Sequence, residues 1–212
     1  KEHYKISMSA LSQKTVNDRL SIKGIGLHTG EPVNIKINPA EPNTGIVFKR
    51  TDLNNNNYII PSVFNVTSTS FCTTVSNEFG VKVSTVEHLL AALYISGIDN
   101  AVIEINNEEV PIMDGSAKEF LDILDETETK TLSKKRKYLK VINKVELLDG
   151  ERKISVEPNN SFFEVDFQLN YENEIIGKQR NKINFQTDDL MDVTNSRTFC
   201  LFEDIEKIKK FG

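Results

Sequence analysis

The chain has 212 residues, is 38% hydrophobic and 27% charged, and carries 26 Lys+Arg against 31 Asp+Glu for a net charge of −5. At roughly 150 residues per domain this is one large domain or two small ones, long enough for a core without disulfide or metal staples. The composition excludes a disordered tail, the acidic balance argues against a nucleic-acid partner, and no apolar run approaches the ~20 residues of a membrane span.

No charged n-region and apolar h-region open the chain, so a signal peptide is not expected. Cys72 and Cys200 are far apart with no CxxC spacing, which fits a reducing cytosol. Met8 opens MSALSQKTV and reads as a start, with residues 1–7 upstream of it, and residues 1–11 as a whole are read as an N-terminal extension to the first unit.

In chain order, Gly24-Ile25-Gly26-Leu27-His28-Thr29-Gly30 comes first. Its spacing is G-x-G-x-x-x-G, and Pro32 and a strand pattern follow it instead of a helix, so a dinucleotide loop is rejected. The glycines there serve a tight turn or a close ligand approach. Val33, Ile35 and Ile37 alternate with Asn34 and Lys36, a half-buried strand closed by Pro39. Residues 46–48 read as a strand, the Asn54 to Asn57 run as a loop, and residues 63–66 and 73–75 as short strands. Cys72, between Phe71 and Thr73, reads first as a small buried hydrophobe and second as a metal ligand.

Ser84-Thr85-Val86-Glu87 has capping-box spacing and predicts a helix to about Ser96, with Gly97 as its C′ residue. Residues 101–105 form the next strand. Met113-Asp114-Gly115-Ser116 is a turn entering a helix, and residues 116–119 make a second capping box for a helix through Leu124. Residues 125–137, DETETKTLSKKRK, hold one large apolar residue, Leu132, and read as a linker or exposed turn.

Beyond it, residues 138–148 and 153–157 flank Asp149-Gly150, a hairpin signal. Phe163, Val165, Phe167 and Leu169 alternate with polar residues in the cleanest strand of the chain. Residues 182–185 make another strand, Thr187 caps a helix through Val193, and residues 202–210 read as a last helix. The hydroxyl of Thr198, in the loop between them, is a weak candidate for oxyanion stabilisation. Strands then helices, twice, predict an α+β fold: a first unit over 12–126, a linker over 127–137 and a second unit over 138–212.

The helix at residue 86 is the informative element. With Val86 at 0°, Leu89, Leu90 and Leu93 fall near about 300°, 40° and 340°, and His88 near about 200°. His88 therefore sits opposite the core stripe with Ala91, Ala92 and Ile95, on a face that needs its own cover. The second half of the chain is the natural cover, which places His88 in a cleft. On spacing alone, Glu87 is better read as a capping residue and His88 as a structural histidine. The functional reading makes His88 a metal ligand and Glu87 a general base at a helix N-terminus, where the dipole and a cation both favour a carboxylate.

GIGLHTG (24–30), NTGIVFKRTD (43–52), STVEHLLAAL (84–93), GIDNAVIEI (97–105), EVPIMDGSA (109–117) and SRTF (196–199) together resemble the UDP-3-O-acyl-N-acetylglucosamine deacetylases. These are zinc amidohydrolases of lipid A biosynthesis, and the resemblance runs from about Leu11 to the end. It implies two two-layer α/β sandwich units of ribosomal-S5-domain-2 type with the active site between them. It makes His88 a zinc ligand, Glu87 the general base and Thr198 an oxyanion stabiliser. It places His28, Cys72, Tyr171, Phe199 and Asp204 in the substrate region.

The implied reaction releases acetate from the 2-acetamido group of a UDP-acyl-glucosamine. The implied protein is cytoplasmic and monomeric, with no stable membrane anchor. In the family, two more zinc ligands, a His and an Asp, lie in a C-terminal HKxxDxxGD-type motif, followed by a general-acid His. Here the only histidines are His3, His28 and His88. The 212 residues thus correspond to the N-terminal two-thirds of the family's chain, with an incomplete second unit, and are expected to be inactive alone. Cys200-Leu201 stand where the family continues with Gly-Phe. The alternative is a non-catalytic nucleotide-sugar binding module of the same fold, against which the retained Glu87 and His88 count.

Overall fold

The computed structural model describes residues 11–160, 163–202, 204 and 205. The elements run β1 (Ser12–Val16), β2 (Leu20–Ile25), β3 (Pro32–Asn38), β4 (Ile46–Arg50), β5 (Tyr58–Ile59), a 3₁₀ turn (Val63–Asn65), β6 (Val66–Ser68), β7 (Thr74–Ser76) and β8 (Lys82–Val83). They continue with α1 (Glu87–Ile95), β9 (Ala101–Ile105), α2 (Lys118–Leu124) and β10 (Thr129–Lys135), then β11 (Val145–Asp149), β12 (Arg152–Val156), β13 (Glu164–Asn170), β14 (Lys178–Asn184) and α3 (Met191–Asn195). The protein is mixed α+β, and it divides into two compact units. The larger takes Ala10–Lys135 and Asp192–Gly212, and the smaller takes Arg136–Met191.

The larger unit is built on a five-stranded sheet of order β2-β3-β9-β4-β5, antiparallel except for the parallel β4–β9 pair. The period-two pattern of β3 does what it predicts: Val33, Ile35 and Ile37 are buried while Asn34 and Lys36 are exposed. Across the ladder Ile35 faces Ile105 and Ile37 faces Ile103, so one sheet face is a continuous aliphatic surface. Leu89, Ala92 and Leu93 of α1 and Phe120, Leu121 and Leu124 of α2 are buried with it. Each buried Leu or Phe among them contributes roughly 1.5–3 kcal/mol. Gly97, at φ +70°, ends α1 as a C′ residue should.

Several local expectations are corrected. Residues 63–66 are not one strand: the Ser62 side chain accepts from Phe64 N and closes a 3₁₀ turn, and strand begins only at Val66. Neither capping box forms. Val86 and Ala117 occupy the N-cap positions without side-chain caps, because Ser84 is drawn into a bridge with Glu109 and Ser116 Oγ is held by Asp114 while accepting from Lys118 N.

The charged stretch read as a linker contains β10. It pairs antiparallel with β1 through backbone groups, from Ser12 opposite Lys135 to Val16 opposite Thr129. Its side chains stay mostly exposed, so charge on this edge costs little. A helix forms at Met191–Asn195 and not from Thr187, whose amide is taken by Asn184 Oδ1.

In the smaller unit β11 pairs with β12 around Gly150, at φ +58°, and β13 with β14. Residues 138–144 are not strand. Many apolar side chains of this unit remain open: Leu147, Ile154, Phe163 and Phe167 are all about half exposed or more, while Val165, Leu169 and Ile183 are half-buried. The expected extension over 1–11 and the helix over 202–210 fall mostly outside the described residues; Phe202, Asp204 and Ile205 are helical.

Candidate active site

Helix α1 starts abruptly. Thr85, two residues ahead, has φ +55°, a region a β-branched residue occupies only under constraint. The constraint is a hydrogen bond from Thr85 Oγ1 to Glu109 Oε1 at 2.9 Å, together with the bonds Ser84 N to Glu108 O and Val110 N to Ser84 O. This turn delivers Glu87 and His88 as the first two residues of the helix.

Glu87 does not fold back to cap its own helix. Its Oε1 accepts from Thr73 N at 2.8 Å, on a loop whose Phe71 is also left-handed at φ +59°. Its Oε2 is buried with no partner among the described residues. A carboxylate fixed through one oxygen and unpartnered at the other is oriented and keeps a lone pair uncommitted. The capping explanation for Glu87 is thereby removed.

Glu87, Ala91 and Ile95, spaced four apart, line a cleft of about 220 Å³ with His88. Its remaining walls are Ala117 from the entry to α2 and Val193, Thr194 and Ser196 from α3 and the residue after it. The cover over the His88 face does come from late in the sequence.

Thr198 is exposed and follows this wall. Its amide donates to Gly115 O at 2.9 Å. Gly115, at φ +86°, is a conformation that suits glycine, and a Cβ there would stand 3.7 Å from Thr198 Cγ2. Arg197 lies 3.7 Å from Asp114 Oδ2. The Asp114 carboxyl is held below its ordinary range, first by the Ser116 hydroxyl, against some burial, with further help from the Ser116 N–H and Arg197. The Asp114–Ser116 turn, read from sequence as a helix entry, is thus also the seat of the 196–199 loop.

His28 is half-buried, and its Nε2 is buried with no partner among the described residues. Cys72 is half-buried, with Sγ 3.8 Å from Thr74 Oγ1, and adjoins the Thr73 amide that holds Glu87. Phe199 is half exposed, and Asp204 N donates to Leu201 O. Tyr171 belongs to the smaller unit, where its amide donates to Gly177 O just beyond β13.

The sequence reading missed Glu109. It is only 1% exposed, and the one signal for it was a carboxylate running directly into the apolar stretch Val110-Pro111-Ile112. It also left the Thr73–Glu87 contact unseen.

As to a metal, His88 offers one imidazole. The described residues gather no group of three His, Cys, Asp or Glu, whereas a catalytic zinc takes three protein ligands. They do not compose a zinc site by themselves.

The fold and site define a class: an α+β protein in which a carboxylate–imidazole pair opens a helix beside a cleft. The chain belongs to the LpxC family, UDP-3-O-acyl N-acetylglycosamine deacetylase, whose family model matches residues 13–212. It is similar to proteins named UDP-3-O-acyl-N-acetylglucosamine deacetylase. The one from Syntrophotalea carbinolica is 40% identical over 202 residues, 94% of this chain and 64% of the relative. That of Nautilia profundicola is 36% identical over 203 residues, 95% of this chain and 68% of the relative. That of Haemophilus influenzae strain PittEE is 38% identical over 205 residues, 95% and 67% respectively. The chain thus spans about two thirds of the length of the curated relatives it matches.

Proposed function

We propose that this chain carries the general base and part of the substrate site of a deacetylase acting on UDP-3-O-acyl-N-acetylglucosamine, in lipid A biosynthesis. The observation that carries the reading is the Glu87 carboxylate, anchored by Thr73 N through Oε1 and unpartnered at Oε2, on the cleft that His88 also lines. Family membership supplies the substrate class.

In this reading Glu87 Oε2 takes a proton from the water that attacks the acetamido carbonyl carbon. The Thr198 hydroxyl donates to the carbonyl oxygen as it gains charge. The C–N bond then breaks as its nitrogen takes up the proton Glu87 removed from the water, giving the free amine and acetic acid, which ionises to acetate. His88 would be one ligand of a zinc ion, a set the described residues do not complete; when bound, that ion would supply Lewis acidity at the carbonyl.

His28, Cys72, Tyr171, Phe199 and Asp204 belong to the substrate side. The units are of the ribosomal-S5-domain-2 type, the second incomplete in this chain. The protein works as a cytoplasmic monomer without a nucleic-acid partner, and the 212 residues alone do not turn over.

The test is acetate release. The 212-residue chain with added zinc is expected to match the metal-only control. A chimera in which residues 13–202 replace the matching segment of the Syntrophotalea carbinolica relative is expected to be active. A folded chimera that binds UDP but releases no acetate would favour the non-catalytic binding module instead.

A further inference from the structure

The GIGLHTG loop looks like an anion cradle, and it is one, but the anion is internal. Glu109 Oε2 accepts from Thr29 N at 2.8 Å and Thr29 Oγ1 at 2.8 Å; Oε1 accepts from His28 N at 3.0 Å and Thr85 Oγ1 at 2.9 Å. His28 N also reaches Oε2 at 3.1 Å. Gly26 has to be glycine, because a Cβ there would lie 2.4 Å from Glu109 Oε2 and 2.2 Å from Thr29 Oγ1. The His28 and Thr29 amides are therefore committed to Glu109 and are not available to a ligand phosphate.

Two features of the site hang from this one carboxylate. On one side it fixes the backbone of His28, whose buried Nε2 has no partner among the described residues. On the other it holds Thr85 in the left-handed turn that sets where α1 begins, and hence where Glu87 and His88 stand. We propose that Glu109 is a positioning residue that places His28 and the Glu87–His88 pair together, by tying the 26–30 loop to Thr85. Its bearing on catalysis rests on the proposed function; the tie itself does not.

The test is amide exchange and chemical shift by NMR on the isotope-labelled 212-residue chain, with no substrate or metal. Glu109→Gln is expected to speed exchange of the His28 and Thr29 amides by about tenfold or more, since hydrogen bonds to an ionised group are the stronger ones. It should also shift the Glu87 and His88 resonances and leave the Ile35 and Ile103 amides as they were.

Thr85→Val, which removes one hydroxyl far along the chain from the loop, is expected to move the His28 and Thr29 amides too, and Thr85→Ser to restore them. A folded Glu109→Gln chain with unchanged His28, Thr29, Glu87 and His88 signals would overturn the proposal. If Glu109→Gln does not fold, the Thr85 pair decides: loop amides indifferent to Thr85→Val overturn it equally. Should these signals respond while the chimera releases no acetate, the functional reading fails and the tie stands.

Discussion

Glu109 and Glu87 are two carboxylates in one unit with opposite surroundings. Both oxygens of Glu109 accept hydrogen bonds, and Glu87 keeps one buried oxygen with no partner among the described residues. Burial works against the Glu109 charge, but the N–H groups of Thr29 and His28 and the hydroxyls of Thr29 and Thr85 bring its pKa below the ordinary 4.5. An unfolded chain therefore binds this proton at a pH where the native state does not. The stabilisation is complete above about 4.5 and is lost as pH falls through the folded value. Denaturation of wild type and Glu109→Gln should differ most near about pH 7 and converge in acid; a gap that widens in acid would reverse the assignment. Gly26→Ala should be destabilising by about 1–3 kcal/mol, the usual cost of overpacking, which thermal melts would show. At this scale the sequence made Glu87 and His88 legible through the STVEHL pattern and the helical wheel. Glu109 was not legible, because its amide partners His28 and Thr29 are 81 and 80 residues away and backbone amides carry no sequence signal.

Periodicity settled the elements wherever a face is buried. β3 and β9 were readable because alternate residues vanish into the core. β10 was not, because its pairing with β1 is a backbone matter and its side chains face water. The two predicted capping boxes fail differently: the Ser84 hydroxyl donates to the Glu108 carbonyl, and the Ser116 hydroxyl, donating to Asp114, accepts from Lys118 N and not from the Glu119 amide that a box requires. In the β13–β14 hairpin the alternation was correct, yet Phe163 and Phe167 stay open. Its Arg180–Asp166 pair is exposed and adds little. Limited proteolysis is therefore expected to cut within residues 136–190 well before 12–125, since a hairpin without a covered face opens readily. Equal resistance of the two stretches would contradict that.

For the whole molecule, the central claim is that Glu87 takes a proton in amide hydrolysis. Gln at this position keeps an oxygen for Thr73 N, so the loop contact and the fold should survive. What it loses is the ability to accept a proton from water. A general base is worth about 10²–10⁴-fold in rate. The direct measurement is acetate release by the active chimera and by its Glu87→Gln form, with bound zinc and melting temperature determined on both. The account predicts a loss of about 10²–10⁴-fold in turnover with zinc content and melting temperature essentially unchanged. Near-wild-type turnover in a folded, zinc-loaded Glu87→Gln chimera would contradict it.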